Sequence, residues 1–186
     1  MNLFPSFEHA LPMSEFLAHY GSEGDRVRWQ TVYERVHLTQ VQRTLLGRFQ
    51  RVTNVLVLAG AWCGDCANQC PIFERFAEAA PVLNVRFIDR DEHAGVQQLL
   101  QINGGNRVPV VVFFSEDGYE VARHGERQLG QYRTMMAQQL GESFPDDVDV
   151  SSESLLTRVM QDWLEEFERV QWLLRLSPRL RQRHRD

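Results

Sequence analysis

The chain has 186 residues, a hydrophobic fraction of 43% and a formal net charge of −5. This size fits one domain with additions and allows a real core, while the acidic balance argues against a nucleic-acid-binding surface. No apolar run approaches the ~18 residues of a membrane span and the N-terminus lacks a secretory pattern, so we expect a cytoplasmic protein.

Residues 1–50 are predicted to form an N-terminal helical extension. A short apolar helix is expected from Met13 to Tyr20, closed by the glycines of residues 21–24. Apolar residues at spacings of three to five predict an amphipathic helix from about Asp25 to Phe49, with a break near His37 to Thr39.

Residues 51–141 alternate between strand and helix patterns. Short β-branched and apolar runs predict strands, and longer amphipathic runs predict helices. The order β-α-β-α-β-β-α predicts an α/β fold with a mixed sheet flanked by helices. The predicted strands are Val52–Ala59, Val82–Ile88, Val108–Phe114 and Tyr119–His124, and the predicted helices are Cys63–Ala80, Glu92–Ile102 and Gln128–Leu140.

Residues 142–186 are predicted to contain an acidic linker at Pro145–Asp149, a helix at Ser152–Leu176 and an arginine-rich, solvated tail at Pro178–Asp186. The helix carries an apolar stripe, which either packs on the protein's own core or forms a homodimer seam. The stripe consists of Leu156, Met160, Trp163, Phe167, Val170 and Leu174.

The motif Trp62-Cys63-Gly64-Asp65-Cys66 directly follows the first predicted strand. Two cysteines separated by two residues can close a disulfide or remain a dithiol. A helix that starts near Cys63 places this sulfur at a helix N-terminus, where the free N–H groups favour a thiolate. Because the thiolate is the nucleophile in disulfide exchange, the motif predicts a redox site that needs no metal or cofactor.

Cys70 lies one helical turn after Cys66, so three cysteines fall within eight residues. Such clustering favours redox or metal chemistry over a structural disulfide framework. Cys70 is a small buried hydrophobe, a regulatory thiol, or the third ligand of a zinc ion completed by His93 or His124.

Charged residues near the cysteines carry further expectations. Asp65 opposes the Cys63 thiolate and should raise its pKa, which predicts a reducing rather than an oxidising couple. Arg107 either approaches the cysteines, where it would stabilise a thiolate or an anionic substrate group, or is an ordinary loop arginine. Asp89 and Asp91 are expected at a strand end and at a helix cap.

Element order and motif together resemble the thioredoxin family. Pro71 stands where that family kinks its active-site helix, and Val108-Pro109 stands where it places a cis-proline facing the disulfide. Asp89 closes the second strand and Gly125 matches a glycine near the substrate groove. The resemblance implies a thioredoxin-like core over residues 51–141, carrying N- and C-terminal helical extensions.

Finer features are similar to a bacterial thioredoxin-like branch whose members carry extra helices and have mostly undefined substrates. These features are the Trp-Cys-Gly-Asp-Cys motif, Asp89–Glu92, Asn103–Gly105 and Arg107–Pro109.

The resemblance implies a thiol–disulfide oxidoreductase in which Cys63 attacks and Cys66 resolves. Trp62 either flanks the site or packs in the core, Gly64 keeps the turn permissive, and Val108 presents its backbone to a substrate chain. The expected partners are a disulfide-containing protein or small thiol substrate and an upstream electron donor.

Two departures from the family pattern concern acid–base chemistry. Val57 replaces a buried acid that helps deprotonate the second cysteine, and a residue near Val85 replaces a lysine; the chain has no lysine at all. Cys66 therefore needs another proton acceptor, such as water, Asp65 or a substrate group.

Two other functions compete with the oxidoreductase. One is a thioredoxin-fold interaction or redox-sensing module, and the other is a metal or cluster carrier.

Overall fold

The structure is a computed structural model that describes residues 2–141 and 154–186. The predicted acidic linker at Pro145–Asp149 and the predicted start of the following helix at Ser152 lie outside the described residues. In chain order the elements are α1 (Phe4–His9), α2 (Met13–Tyr20), α3 (Glu23–Arg35), α4 (Gln40–Leu46), β1 (Thr53–Ala59), α5 (Gly64–Ala79), β2 (Leu83–Asp89), α6 (Ala94–Leu99), β3 (Val110–Ser115), β4 (Glu120–Gly125), α7 (Leu129–Leu140), α8 (Leu155–Leu176) and α9 (Pro178–His184).

Capping residues divide the N-terminal extension. The predicted break near His37 to Thr39 is confirmed, because Thr39 starts α4 with a reciprocal cap in which its side chain and that of Gln42 bind each other's backbone N–H groups. Ser22 and Asp25 begin α3 in the same way. Local side chains thus explain why one predicted helix is two.

The four described strands form one mixed sheet in the order β2-β1-β3-β4. β1 pairs parallel to β2 and antiparallel to β3, and β3 pairs antiparallel to β4. Every residue of β1 and β3 is buried, which matches their nearly continuous apolar sequences. The predicted thioredoxin-like α/β architecture with added helices is confirmed.

The segment after β2 differs from its prediction. Asp89 ends the strand, and its Oδ1 accepts the N–H groups of Asp91 (2.8 Å) and Glu92 (3.1 Å), which holds a turn. As a result α6 starts only at Ala94, with His93 as its N-cap residue. The expectation that Asp91 caps this helix is wrong.

The N-terminal extension packs against β2. Leu11 exchanges backbone hydrogen bonds with Phe87 (2.9 and 2.7 Å). Phe16 and Trp29 lie against the Phe87 ring, with centroid separations of 5.7 and 6.0 Å, and both are fully enclosed. The extension therefore covers one edge of the sheet and contributes to the same core.

The apolar stripe of α8 packs on the protein's own core, so the first of its two interpretations is confirmed. Phe167 contacts the rings of Phe73, Phe76 and Phe113 at centroid distances of 5.7, 5.3 and 5.0 Å. Of the stripe residues, Met160, Trp163, Phe167, Val170 and Leu174 are buried, and Leu156 is partly buried.

The arginines of the C-terminal tail are exposed as predicted, but the segment is helical and anchored to the fold. Residues 178–184 form α9, and its Leu180 is fully buried. Arg179 pairs with Asp117 and Arg183 with Glu116, both in the β3–β4 turn. A buried leucine in an arginine-rich sequence thus anchors a segment that composition alone assigns to solvent.

Within the described ranges, none of the helices is long and apolar enough to cross a membrane.

Candidate active site

The turn from β1 into α5 positions the two cysteines of the motif. β1 ends at Ala59, and the N–H of Cys63 then donates to the carbonyl of Gly60 (3.0 Å). Cys63 is the N-cap residue of α5, and its carbonyl accepts the N–H of Ala67 (3.0 Å). The predicted placement of Cys63 at a helix N-terminus is therefore observed.

Three thiols lie in sequence along the buried side of α5. The Cys66 sulfur lies close to those of both Cys63 and Cys70. Cys63 is 9% exposed, whereas Cys66 and Cys70 are completely buried, and all three are free thiols. Cys63 is therefore the member of the group that an incoming molecule can reach.

Both motif cysteines are held in the protonated form. A hydrogen bond with the Cys66 thiol and partial burial raise the pKa of Cys63, while the N–H groups of Cys66 and Asp65 act in the opposite direction. Burial raises the pKa of Cys66 well above its ordinary value. The N–H groups at the helix N-terminus act on the pKa of Cys63 in the predicted direction, but desolvation and the neighbouring sulfur outweigh them.

The loop before β3 faces the cysteines. The peptide bond between Val108 and Pro109 is cis, as the family resemblance predicts. The Cys63 thiol donates to the Val108 carbonyl, with an S···O distance of 3.6 Å. Gly125 lies against this loop so closely that a Cβ there would be 2.7 Å from the Pro109 carbonyl oxygen. This contact explains why a glycine occupies the position.

Asp65, between the two cysteines, is paired rather than free. The Arg127 guanidinium donates to both of its oxygens, from Nε to Oδ1 (3.2 Å) and from Nη2 to Oδ2 (2.6 Å). The same guanidinium donates from Nη1 to Glu126 Oε1 (2.9 Å). Asp65 therefore does not act on Cys63 as the isolated negative charge that the sequence suggested, and burial and Cys66 raise the thiol pKa instead.

Glu126 joins this ion pair to the rest of the molecule. Its side chain is only 9% exposed and accepts the Tyr132 hydroxyl (3.2 Å). Its backbone carbonyl accepts Nε2 of Gln69 on α5 (2.9 Å), and Gln69 Oε1 accepts the indole N–H of Trp163 on α8 (2.8 Å). A continuous hydrogen-bond chain thus runs from α8 to the cysteine motif.

Arg107 lies at the margin of this network. Its side chain is 57% exposed, and its Nη1 is 3.7 Å from Glu126 Oε2. The structure therefore brings Arg107 to the acidic residue behind the motif, while most of the guanidinium remains accessible to solvent.

Trp62 lies at the surface and does not pack in the core. Its side chain is 48% exposed and stacks on the Arg90 guanidinium, 4.6 Å from the ring centroid. The indole also covers Gly60, where a Cβ would approach the ring to 2.7 Å. Arg28 of α3 fixes the backbone by donating to the Trp62 carbonyl (3.1 Å).

Gly64 does not have the role that the sequence suggested. It is the first residue of α5, and a Cβ built there meets no atom within 4 Å. The turn therefore does not require glycine at this position, and the space in front of the helix N-terminus is open.

The positions that depart from the family pattern are apolar inside the sheet. Val57 is completely buried on β1 between Phe87 and Val111 of the flanking strands. Val85 pairs with Val55 on the neighbouring strand. Positions 57 and 85 therefore bring neither an acid nor a lysine beneath the cysteines.

The described residues contain no cluster of three histidine, cysteine or acidic side chains suited to a metal ion. His93 contacts the Asp89 carbonyl through Nδ1 (3.0 Å), and His124 lies against the Trp163 ring. The two histidines considered as zinc ligands thus have other contacts.

Sequence reasoning missed Arg127, Glu126, Gln69 and Trp163 as parts of the site. Arg127 is separated from Asp65 by 62 residues, and Trp163 from Gln69 by 94. No local motif marks these residues. The one usable signal was the position of Glu126 and Arg127 directly after Gly125, which the family resemblance had placed near the substrate groove.

Comparison with known proteins extends these observations. A thioredoxin family model matches residues 10–139, and so includes much of the N-terminal extension. None of the curated proteins matches significantly.

Two solved structures share the fold. One is a protein of unknown function from Pseudomonas aeruginosa, with 17% identity and a TM-score of 0.63, covering 86% of this chain and 95% of that one. The other is an HIV epitope-scaffold, also with 17% identity and a TM-score of 0.63, covering 88% of this chain and 98% of that one. Identities this low bear on the fold alone. From the matched family, the fold and the arrangement around Cys63, we conclude that the chain belongs to the thioredoxin family.

Proposed function

We propose that this protein is a thiol–disulfide oxidoreductase that uses Cys63 and Cys66 and works in the reducing direction. The observation that carries the proposal is the placement of Cys63. It lies at the accessible N-terminus of α5, in contact with the Cys66 sulfur on one side and the Val108 carbonyl on the other. A nucleophile, a resolving thiol and a backbone acceptor for a substrate chain therefore meet at one point.

In the first step, the deprotonated Cys63 sulfur attacks one sulfur of a substrate disulfide. The S–S bond of the substrate breaks, a mixed disulfide forms, and the leaving sulfur departs as a thiolate. In the second step, Cys66 loses its proton and attacks the Cys63 sulfur. The mixed disulfide breaks, the substrate leaves as a dithiol, and two electrons have passed from the protein to the substrate.

The proton acceptor for Cys66 follows from its surroundings. Val57 offers no carboxylate, and Asp65 is engaged by Arg127. The thiolate that leaves the substrate in the first step is itself a base with an ordinary thiol pKa of about 8.5. We assign the proton from Cys66 to this substrate group. The Gly60 backbone acts to lower the pKa of Cys66 and so favours the negative charge that develops there.

The reducing direction follows from the thiol pKa values. A low thiol pKa stabilises the reduced form of a cysteine pair and makes it an oxidant. Here the pKa values of Cys63 and Cys66 are both raised, so the reduced form gains no thiolate stabilisation and the disulfide is relatively favoured.

The proposed partners are a disulfide-containing protein or small thiol substrate and an upstream donor that reduces the Cys63–Cys66 disulfide again. We place this reaction in the cytoplasm, where such donors keep thiols reduced.

A homodimer through α8 would have to use the face opposite its buried stripe, where Trp172, Leu173 and Leu176 are exposed.

Insulin reduction tests the proposal. With dithiothreitol as the donor, the wild-type chain should accelerate precipitation of the reduced insulin B chain severalfold. Cys63→Ser and Cys66→Ser should each abolish the acceleration, because each removes one of the exchanging sulfurs. Cys70→Ala is the matched control and should retain it, since Cys70 does not enter either step.

A redox-sensing module is the second candidate, and the raised thiol pKa values favour it because they slow exchange. A wild-type chain that forms the Cys63–Cys66 disulfide but does not accelerate insulin reduction would support this module over the enzyme.

A further inference from the structure

Arg127 binds the carboxylate of Asp65, the residue between the two motif cysteines. Its guanidinium makes a two-point contact with the Asp65 carboxylate at 3.2 and 2.6 Å. A paired geometry of this kind is stronger and more directional than a single ionic contact. The side chains of Arg127 and Asp65 are only 20% and 25% exposed, so solvent screens the pair less than it would a surface pair.

Asp65 occupies a sensitive position because it lies between the two exchanging cysteines. Its backbone N–H acts to lower the pKa of Cys63. An uncompensated carboxylate two residues from Cys63, at the start of the same helix, would oppose formation of the thiolate that attacks the substrate. A cation bound to both oxygens of this carboxylate cancels most of that effect.

Arg127 is itself held from the other side. Glu126 accepts its Nη1 at 2.9 Å, and Tyr132 donates to the same Glu126 oxygen at 3.2 Å. The Glu126 backbone is tied to Gln69 on α5, which Trp163 of α8 holds in turn. The guanidinium is therefore fixed before any substrate arrives, and C-terminal helix α8 contributes to its placement.

We propose that Arg127 is a positioning residue of the redox site: by neutralising Asp65, it keeps that carboxylate from opposing the Cys63 thiolate and so maintains the rate of nucleophilic attack. The inference deepens the proposed function and rests on Cys63 being the nucleophile. Arg127 touches neither the reacting sulfurs nor, in this account, the substrate.

Alkylation of Cys63 by iodoacetamide measures the effect directly, with the modified cysteine identified by peptide mapping. For each unit by which the pKa of Cys63 rises, the fraction of Cys63 present as thiolate falls tenfold. Because a more basic sulfur is also more nucleophilic, the alkylation rate falls only about threefold. We therefore expect Arg127→Gln to slow alkylation at pH 7.5 about threefold, and Asp65→Asn, which frees the cation, to accelerate it by a similar factor.

Rescue variants distinguish charge from structure. The double variant Asp65→Asn with Arg127→Gln should return to within about twofold of the wild-type rate. Arg127→Lys should lie between Arg127→Gln and the wild type, because a cation remains while the two-point contact is lost. Arg123→Gln is the matched control, since Arg123 also makes a two-point contact with a carboxylate, that of Glu120, in the β4 hairpin. Its alkylation rate should equal that of the wild type.

Equal alkylation rates for Arg127→Gln and the wild type would overturn the proposal. So would a double variant that stays as slow as Arg127→Gln, or an Asp65→Asn variant that is slower than the wild type. Asp65→Asn keeps the test decisive if Arg127→Gln fails to fold. Because alkylation needs no disulfide substrate, failure of insulin reduction with the expected alkylation pattern would refute the proposed enzyme and leave this role of Arg127 standing.

Discussion

Opposing influences act on Cys63. The N–H groups at the start of α5 favour its thiolate, whereas the Cys66 sulfur and the loss of solvent favour its thiol. The thiol form prevails in the resting protein. A substrate disulfide therefore meets a protonated, hydrogen-bonded dithiol, and the small thiolate fraction compensates in part by its high intrinsic nucleophilicity.

Gly60 and Gly125 allow close packing around the site because neither has a side chain. A side chain at Gly60 would meet the Trp62 ring at 2.7 Å, and one at Gly125 would meet the Pro109 carbonyl at the same distance. Neither glycine needs a positive φ, since among the glycines of the described residues only Gly104, Gly118 and Gly141 have one. Close approach, not backbone freedom, explains these two positions.

Among the elements, α8 is the one whose role changes most once its contacts are known. Its stripe fills the space against α5 and β3, and its buried Gln171 accepts the N–H groups of Gln50 and Arg51 (both 3.2 Å). The Gln171 amide also donates to the Arg51 carbonyl (2.7 Å) ahead of β1. The helix is thus part of the core and not an appended module.

Phe167→Ala tests this role. The ring is 1% exposed and contacts three aromatic rings, so its removal leaves a cavity at the centre of the α5–α8 contact. We expect the free energy of unfolding, measured by urea denaturation, to fall by about 3–5 kcal/mol.

Trp172→Ala is the matched control on the opposite face of α8, where the ring is 45% exposed. We expect it to change the free energy of unfolding by less than about 1 kcal/mol. Equal losses for the two variants would mean that α8 does not pack as described.

Local sequence signals could predict the elements and the reactive pair. The strands, the cap at Thr39 and the cysteine motif each depend on residues close together in the chain. The cis peptide bond at Pro109 followed from the family resemblance. The Asp65–Arg127 pair could not be predicted, because it depends on how the β4–α7 connection approaches α5, and a charge pattern carries no information about that approach.

In the folded molecule, α9 lies against the β3–β4 turn and is held there by ion pairs. His184 and Arg183 both contact Glu116, and Asp186 binds the nearly buried Arg51 (2.5 Å) as well as Arg175. Composition predicted a solvated tail because arginines dominate the segment. The acids that pair with Arg179 and Arg183 lie in a hairpin more than 60 residues earlier in the chain, so only the folded chain brings them together.

Glu116→Gln should destabilise the protein in a pH-dependent way. Partial burial acts to raise the pKa of Glu116, but hydrogen bonds from His184 and Arg183 outweigh it and hold the pKa below its usual value. A carboxyl with a lowered pKa in the folded state stabilises the fold above its unfolded pKa of about 4.3, and this contribution disappears as the pH falls through the folded value.

We therefore expect the Tm of Glu116→Gln to lie below that of the wild type at pH 6, with the difference closing towards pH 3. Glu120→Gln is the control, because Glu120 pairs with Arg123 on its own strand and not with α9. A Tm difference for Glu116→Gln that persists unchanged at pH 3 would show that the charge of Glu116 is not what holds α9.

The most direct test of the central claim is a redox titration of the purified chain in glutathione buffers, followed by thiol blocking and peptide mapping. We expect one reversible two-electron transition that links Cys63 to Cys66 and leaves Cys70 as a thiol. Its midpoint should be more negative than about −200 mV, far from the roughly −120 mV of strong periplasmic oxidants. Absence of a Cys63–Cys66 disulfide across the buffer range, or a disulfide that joins Cys66 to Cys70, would contradict it.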